Sequence, residues 1–324
     1  MKAAILNADG IALIEVDEPT PGVHEMLVEV RACGLNRADL LITQGAFHGH
    51  TGGAGTRLGM EWSGTVVEIG TAVQGFAIGD RIMCSGVGGW AEFAVCDWRR
   101  ASLIPADNMT FEQAASLPVA LNTMHDALIT NGHLQNGESV MIQGASSGVG
   151  IIALQIAKKM GAGQTIASST NASRRARLGA FGADLVVDSR DPAWVNQVLE
   201  ATGGKGVDLL VDQISGYVAN QNMAATALKG RIVNVGRLGG MKGEFNFDLH
   251  ALRRINYIGV TFRTRTIEEV HAINLAMQAD LWPLVEAGDI MMPEAQNFAL
   301  DEVQEALEHM NDNKHFGKIT LTVA

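Results

Sequence analysis

Val140 to Ala162 reads VMIQGASSGVGIIALQIAKKMGA, and it restricts the fold more than any other stretch of the chain. A short apolar run leads into a turn of glycine and serine, and an amphipathic run follows. Gly144, Gly148 and Gly150 set the spacing G-x-x-x-G-x-G, with Ser146, Ser147 and Val149 between them. Glycines in such a turn let the backbone approach a pyrophosphate. The helix that starts there points its N-terminus at the anion. The turn therefore demands a strand behind it and a helix ahead of it.

The surrounding sequence supplies both. The pattern predicts strand 140–143, helix 149–160, strand 164–168 and helix 172–181. DLVVDS, VDLLVDQI and GRIVNVG then read as short buried strands separated by helical segments, and NYIGVTFRT ends the series. Repeated β–α units make a parallel, doubly wound α/β sheet covered on both faces. Just upstream, TFEQAASLPVALNTMHDALI is helical in composition, but Pro118 must break or kink it. The first 118 residues have a different texture, with alternating β-branched runs punctuated by Asp9-Gly10 and Pro21-Gly22. They fit a β-rich, barrel-like domain. After Thr266 come two amphipathic helices and a terminal strand, GKITLTV. A chain of 324 residues has room for two such domains.

Bulk composition excludes several classes. Apolar residues form 47% of the chain and charged residues 18%, so a packed core is expected rather than disorder. A formal charge of −11 argues against nonspecific nucleic-acid binding. Cys33, Cys84 and Cys96 form no CxxC pair and read as buried free thiols. No apolar run approaches membrane-spanning length, and MKAAILNADG lacks a signal-peptide layout, so no membrane partner and a cytoplasmic location are expected.

The second strand of the nucleotide unit bears on the cofactor. A site for NAD usually ends this strand with Asp or Glu, which bonds the ribose 2′-hydroxyl. Between Gln164 and Ala183 there is neither. QTIASSTNASRR instead offers the hydroxyls of Ser168, Ser169 and Thr170, then Arg174, Arg175 and Arg177. A carboxylate would repel a 2′-phosphate and a guanidinium would hold it, so NADPH is favoured over NADH. Arg177 reads as part of a solvated helix face. Arg174, in the first turn, is placed to reach the ribose.

Two groups of oxidoreductases use such a turn. Short-chain dehydrogenases place it near the N-terminus and take their acid from a Tyr-x-x-x-Lys pair. Here the turn lies mid-chain, Tyr217 is followed by Gln221, and Tyr257 by Thr261. The chain instead resembles the medium-chain dehydrogenase/reductase superfamily over almost its whole length. The resemblance is carried by ACGLNRADL, LGMEWSGTVVEIG, FAIGDRI, AASLPVALNT, GASSGVG and GKITL. Within that superfamily, GLNRADLLITQGAF, FRTRT and FGKITL are most similar to the zinc-independent quinone oxidoreductases, especially the p53-inducible quinone oxidoreductase-like branch.

This resemblance implies a GroES-like catalytic domain (1–118 and 262–324) around a Rossmann NADP-binding domain (119–261). It also implies no catalytic metal. Zinc enzymes of the superfamily carry Cys where this chain has Asn36, and His where it has Met60 in Gly59-Met60-Glu61. An amide and a thioether do not replace a thiolate and an imidazole on Zn²⁺. His48 and His50, in a glycine-rich loop, read as solvent-exposed.

Without a Lewis acid the substrate must be intrinsically electrophilic: a quinone, or an alkene conjugated to a carbonyl. By resemblance, Asn36 lies beside the nicotinamide as an amide donor and Thr123 lies near the ring. Gly236 and Arg237 pass along the nicotinamide ribose, and Phe262 closes one side of the cleft. Asp39 and Glu61 are read as structural. Phe47, Met60, Trp62 and Met124 depart from the family pattern and suggest a more apolar, more confined substrate pocket. For Trp62 a second placement stays open, turned away into the β-domain core. The expected function is NADPH-dependent hydride transfer to a quinone or an α,β-unsaturated carbonyl. The alternative is an NADPH-binding redox sensor or structural protein with little turnover. A homodimer is expected, joined along the edge strand within YIGVTFRT.

Overall fold

The computed structural model describes residues 1–8, 10–105, 109–293 and 296–324. Asp9, half of the Asp9-Gly10 punctuation, lies outside the described residues. The chain forms two compact units, Met1–Val119 with Phe262–Ala324, and Ala120–Thr261.

In the first unit the alternating runs fold largely as antiparallel strands. Lys2–Asn7 pairs with Gly10–Glu15. A larger sheet runs in the order Gln296–Ala299, Ile319–Thr322, Glu25–Gly34, Glu61–Ile69, Arg81–Ser85 and Ala101–Leu103. Glu25–Gly34 is long enough to serve two partners along one edge. Its first half carries Phe93–Asp97, and its last three residues carry Thr320–Thr322. The sequence-distant end of the chain is thereby placed next to Gly34 and Leu35, whose N–H donates to the Ile319 carbonyl. Inward-facing Met26, Val28, Val30, Cys33, Trp62, Ile82 and Trp90 form the core of this unit.

The second unit is a six-stranded parallel sheet. In space the strands run Leu185–Val187, Gln164–Ser168, Ser139–Gln143, Val207–Asp212, Thr226–Asn234 and Asn256–Gly259. Numbered along this unit, that order is 3-2-1-4-5-6, the doubly wound arrangement with its reversal between the first and fourth strands. A ligand crevice is expected beyond the C-terminal ends of those two strands, at Gly144 and Gln213. The helix Gly148–Lys159 is buried almost throughout, which explains its near-continuous apolar sequence.

Three details differ from the sequence expectation or complete it. The expected helix 172–181 is two short pieces, Ala172–Arg175 and a 3₁₀ turn Leu178–Phe181. Gly179 weakens a helix there, and Gly182 closes the turn at φ +102°. Within NYIGVTFRT only Asn256–Gly259 is strand, because its neighbour ends at Asn234, the partner of Gly259. Pro118 breaks the helical run cleanly. Phe111–Ala115 stops before it, and Pro118 then heads Pro118–His125, where its missing N–H costs nothing. A π-helical turn, Asp126–Thr130, follows.

Candidate active site

The glycine–serine turn is built so that backbone, not side chain, faces the crevice. Gly144 has φ +75°, a conformation that suits glycine. A Cβ on Gly150 would lie 2.6 Å from the Ala145 Cα, so the helix can start this close to the turn only without a side chain there. Ser147 caps the helix, its Oγ accepting from the Gly150 N–H at 3.1 Å and lying 3.1 Å from Gln213 Oε1. That second contact ties the turn to the end of the fourth strand, across the topological switch point. Gly148 is buried and Val149 half-buried. On the opposite side of the crevice, a Cβ on Gly236 would meet the Gln213 carbonyl at 2.6 Å. Arg237 is folded back, its guanidinium donating to the Val235 carbonyl at 3.1 Å. This cradle fits a dinucleotide pyrophosphate.

The hydroxyls of the second strand divide into two roles. Ser168 does not face a ligand. Its Oγ accepts from the Gly144 N–H at 3.0 Å and donates to Gln143 Oε1 at 2.5 Å, so it braces the turn. This corrects the expectation of a ribose-bonding Ser168. Ser169 and Ser146 share a hydrogen bond at 2.9 Å. Arg175 is committed structurally, donating to the Ser169 carbonyl and pairing with Asp188, both at 2.8 Å. Arg174 is half-buried, and its N–H is capped by Asn171. On the helix Pro118–His125, Thr123 is partly exposed and Met124 is fully buried.

The first unit holds a buried polar cluster that the sequence reading met only in pieces. Asn36, Asp39, Glu61 and Lys318 are all buried. Lys318 Nζ donates to Asn36 Oδ1 at 2.7 Å and forms an ion pair with Glu61. Asn36 Nδ2 donates to Glu61 Oε1 at 3.0 Å, and Glu61 Oε2 accepts from the Val119 N–H at 2.9 Å. Asp39 Oδ2 accepts from the Asn36 backbone N–H at 2.8 Å. Its other oxygen has no hydrogen-bond partner among the described residues. Burial pushes the Asp39 carboxyl up to about 7, against the pull of the Asn36 N–H and the Lys318 ammonium. Lys318 was missed as a site residue. Its only signal was the FGKITL stretch, whose lysine stands just ahead of a buried strand.

One member of the expected substrate pocket, Trp62, lies in the core of the first unit. Glu61 and Trp62 are successive residues of one strand, so their side chains leave opposite faces. Glu61 faces Asn36 and Lys318, and Trp62 must therefore face the core. Its ring lies across Gly89 and Gly86, where a Cβ would meet Cε3 at 2.3 Å and Cη2 at 2.7 Å. Trp62 is fully buried there, which corrects the pocket assignment. Phe47 is 64% exposed and packs against Gly52 and Gly53 of its own loop. Met60 is half-buried, and Phe262 carries the Arg265 guanidinium over its ring at 5.5 Å. His48 is half-buried and His50 exposed. Among the described residues no helix is long and apolar enough to cross a membrane.

Comparison with known proteins agrees with this geometry. Residues 22–106 match the family described as "Alcohol dehydrogenase GroES-like domain", and residues 148–277 match "Zinc-binding dehydrogenase". A probable oxidoreductase from Mycobacterium abscessus is 30% identical, with a TM-score of 0.86 over 99% of this chain and 98% of that one. The JamJ enoyl reductase is 25% identical, with a TM-score of 0.87 over 100% of this chain and 99% of that one. The polyketide synthase GfsB of Streptomyces halstedii is 32% identical over 97% of this chain. The chain spans only 5% of GfsB's length.

Proposed function

Because the chain belongs to the medium-chain dehydrogenase/reductase superfamily, in its quinone-oxidoreductase-like branch, and is an oxidoreductase, we propose that it is a zinc-independent, NADPH-dependent reductase of an alkene conjugated to a carbonyl. The observation that carries this reading is the Asn36 amide. It is fixed between an ammonium and a carboxylate, with one Nδ2 hydrogen committed to Glu61. The second hydrogen is a preorganised donor for an oxygen that gains negative charge.

A bound nicotinamide supplies the hydride. The chain's own groups do the rest. Asn36 donates to the carbonyl oxygen as the acceptor becomes an enolate, and a solvent proton then completes the saturated product. Thr123, Gly236, Arg237 and Phe262 keep their proposed places around the nicotinamide, and Ser146, Ser147 and Ser169 around the phosphates and ribose. The donor set does not suit zinc. Asn36 is an amide already bonded on both its polar atoms, Met60 is a thioether, and the Lys318 ammonium stands within the same cluster and would repel a cation. The likeness to the enoyl reductase and to a polyketide synthase supports a conjugated alkene. The sequence motifs shared with quinone oxidoreductases support a quinone as the second reading. We also propose a homodimer, joined along the outermost strand Asn256–Gly259.

The test is oxidation of NADPH, beside NADH, against an enone series, an enoyl thioester and 9,10-phenanthrenequinone, with metal analysis of the same preparation. Turnover of conjugated alkenes with NADPH and without zinc is expected. Preference for the quinone would move the assignment to the second reading. Tight NADPH binding without turnover of any acceptor would overturn both and leave a redox sensor. Light scattering on the same sample should give twice the chain mass, and a monomer would remove the edge-strand dimer.

A further inference from the structure

An amide side chain is nearly symmetric in shape, so a lone asparagine can present either its N–H or its C=O to a ligand. For a residue meant to stabilise an oxyanion, half of those orientations are wrong. In this chain the choice is made by charge. Asn36 Oδ1 meets the ammonium of Lys318, and Asn36 Nδ2 meets the carboxylate of Glu61. A flip by 180° would set NH₂ against ammonium and C=O against carboxylate, two repulsions where there are now two attractions. Glu61 alone would favour the same sense, but it is itself held: one oxygen pairs with Lys318 and the other accepts from the Val119 N–H. Lys318 is therefore the residue that fixes both partners. Its ammonium also draws electron density toward Oδ1, which makes the remaining Nδ2 hydrogen a stronger donor.

The position of Lys318 suits that task and little else. It is 4% exposed and precedes the strand Ile319–Thr322, which is locked in register against Ala32–Gly34. Burying an ammonium is costly unless a specific partner holds it, and the partners here are Glu61 and Asn36. At 4% exposure the Lys318 ammonium meets Asn36 and Glu61 rather than solvent.

We propose that Lys318 is a positioning residue for the reduction. It fixes the sense of the Asn36 amide so that N–H, and not C=O, is presented to the substrate oxygen. This rests on the reading of Asn36 as the oxyanion donor.

The experiment is a double-mutant cycle on the full chain, with Asn36→Ala, Lys318→Met and the pair. The steady-state kcat and KM are measured with the best acceptor of the enone and quinone series. NADPH affinity, from quenching of tryptophan fluorescence, gives the concentration of folded sites. Lys318→Met should lower kcat by about 100-fold, the scale of losing one oxyanion donor. NADPH affinity should stay unchanged, and KM should change far less than kcat. In the Asn36→Ala background the same substitution should cost less than about threefold, because both changes remove one interaction. Lys318→Met leaves Glu61 without its cation, so Lys318→Met with Glu61→Gln is the control for folding. It keeps an acceptor for Nδ2 and leaves neither member of the Lys318–Glu61 pair buried without its counter-charge, and should show the same fall in kcat.

The outcomes separate cleanly. If Asn36→Ala leaves kcat unchanged, the Asn36 reading fails and this inference with it. If Asn36→Ala is impaired but Lys318→Met is not, or if the two losses multiply, Lys318 is only structural and the inference alone is overturned.

Discussion

In the nucleotide turn, most bonding groups come from seven neighbouring residues, 144 to 150, braced by Ser168 and Gln213. The polar cluster of the other unit draws on positions 36, 39, 61 and 318, and is completed only when the last strand joins the sheet and brings in Lys318. The first site is made of backbone and depends on what is absent, a Cβ at Gly150 or Gly236. The second is made of side chains and depends on a balance of charge. A local backbone site can be read from spacing, whereas a charge-balanced site assembled over nearly 300 positions becomes visible only with the register.

The largest expected effect separates core from cluster at two adjacent residues. Trp62→Ala should destabilise the protein by about 4 kcal/mol, measured by denaturant unfolding, because a large buried ring is lost from a site flanked by Gly86 and Gly89. The kinetics of the folded variant should be unchanged with bulky and small acceptors alike. A changed kcat/KM for bulky acceptors would return Trp62 to the pocket and blur the distinction.

The next effect concerns charge balance. Asp39 titrates at about 7 when folded, raised by burial from an ordinary value near 3.8. Between those values the folded state keeps a proton that the unfolded chain has released. Its contribution is therefore fully present at low pH and is lost as pH rises through 7. From pH 5 to pH 8 that amounts to about 3 kcal/mol. Asp39→Asn keeps an acceptor for the Asn36 N–H, so its stability should fall less over the same range. Parallel unfolding curves for the two proteins at both pH values would show that Asp39 is ionised throughout.

Much of the architecture was legible because it follows from period and punctuation. The β–α alternation, the glycine–serine turn between strand and helix and the break at Pro118 are consequences of nearby residues. Trp62 left the expected pocket for a reason partly visible in the sequence: residues 61 and 62 of one strand leave opposite faces, so only one of them can meet Asn36. Which of them faced it required knowing that Glu61 meets Lys318. The split of 172–181 had a local signal in Gly179 and Gly182, which the helical pattern of the segment outweighed in the sequence reading. Ser168 misled for a different reason. A serine at a strand end looks the same whether its hydroxyl faces a ribose or the neighbouring Gln143.

At the turn itself, Gly150→Val tests whether a missing Cβ is the site's main requirement. The new side chain would meet the Ala145 backbone at 2.6 Å from its Cβ onward, and backbone cannot yield cheaply. NADPH binding should weaken by about 2 kcal/mol, near 30-fold, in a fluorescence titration. Asn36→Ala, in contrast, should leave cofactor affinity unchanged. Equal losses in both variants would mean that the two sites are not the separate devices described above.

The smallest effect decides the cofactor. Arg174 and Arg175 are neighbours to which we assign different roles. Arg175 is bonded to the Ser169 carbonyl and to Asp188, so it holds the loop after the second strand. Arg174 stands half-buried in the short helix that Asn171 caps, and we assign it to the 2′-phosphate. A charge-assisted hydrogen bond to phosphate at a partly solvated position is worth about 1.4 kcal/mol, a factor of ten in affinity. Arg174→Ala should therefore weaken NADPH tenfold and leave NADH unaffected, narrowing the ratio of their dissociation constants. Arg175→Ala should weaken both cofactors together, because it releases the loop that both must use. If Arg174→Ala leaves the ratio unchanged while Arg175→Ala narrows it, Arg175 exchanges Asp188 for the phosphate on binding. The assignment would then pass from one arginine to the other.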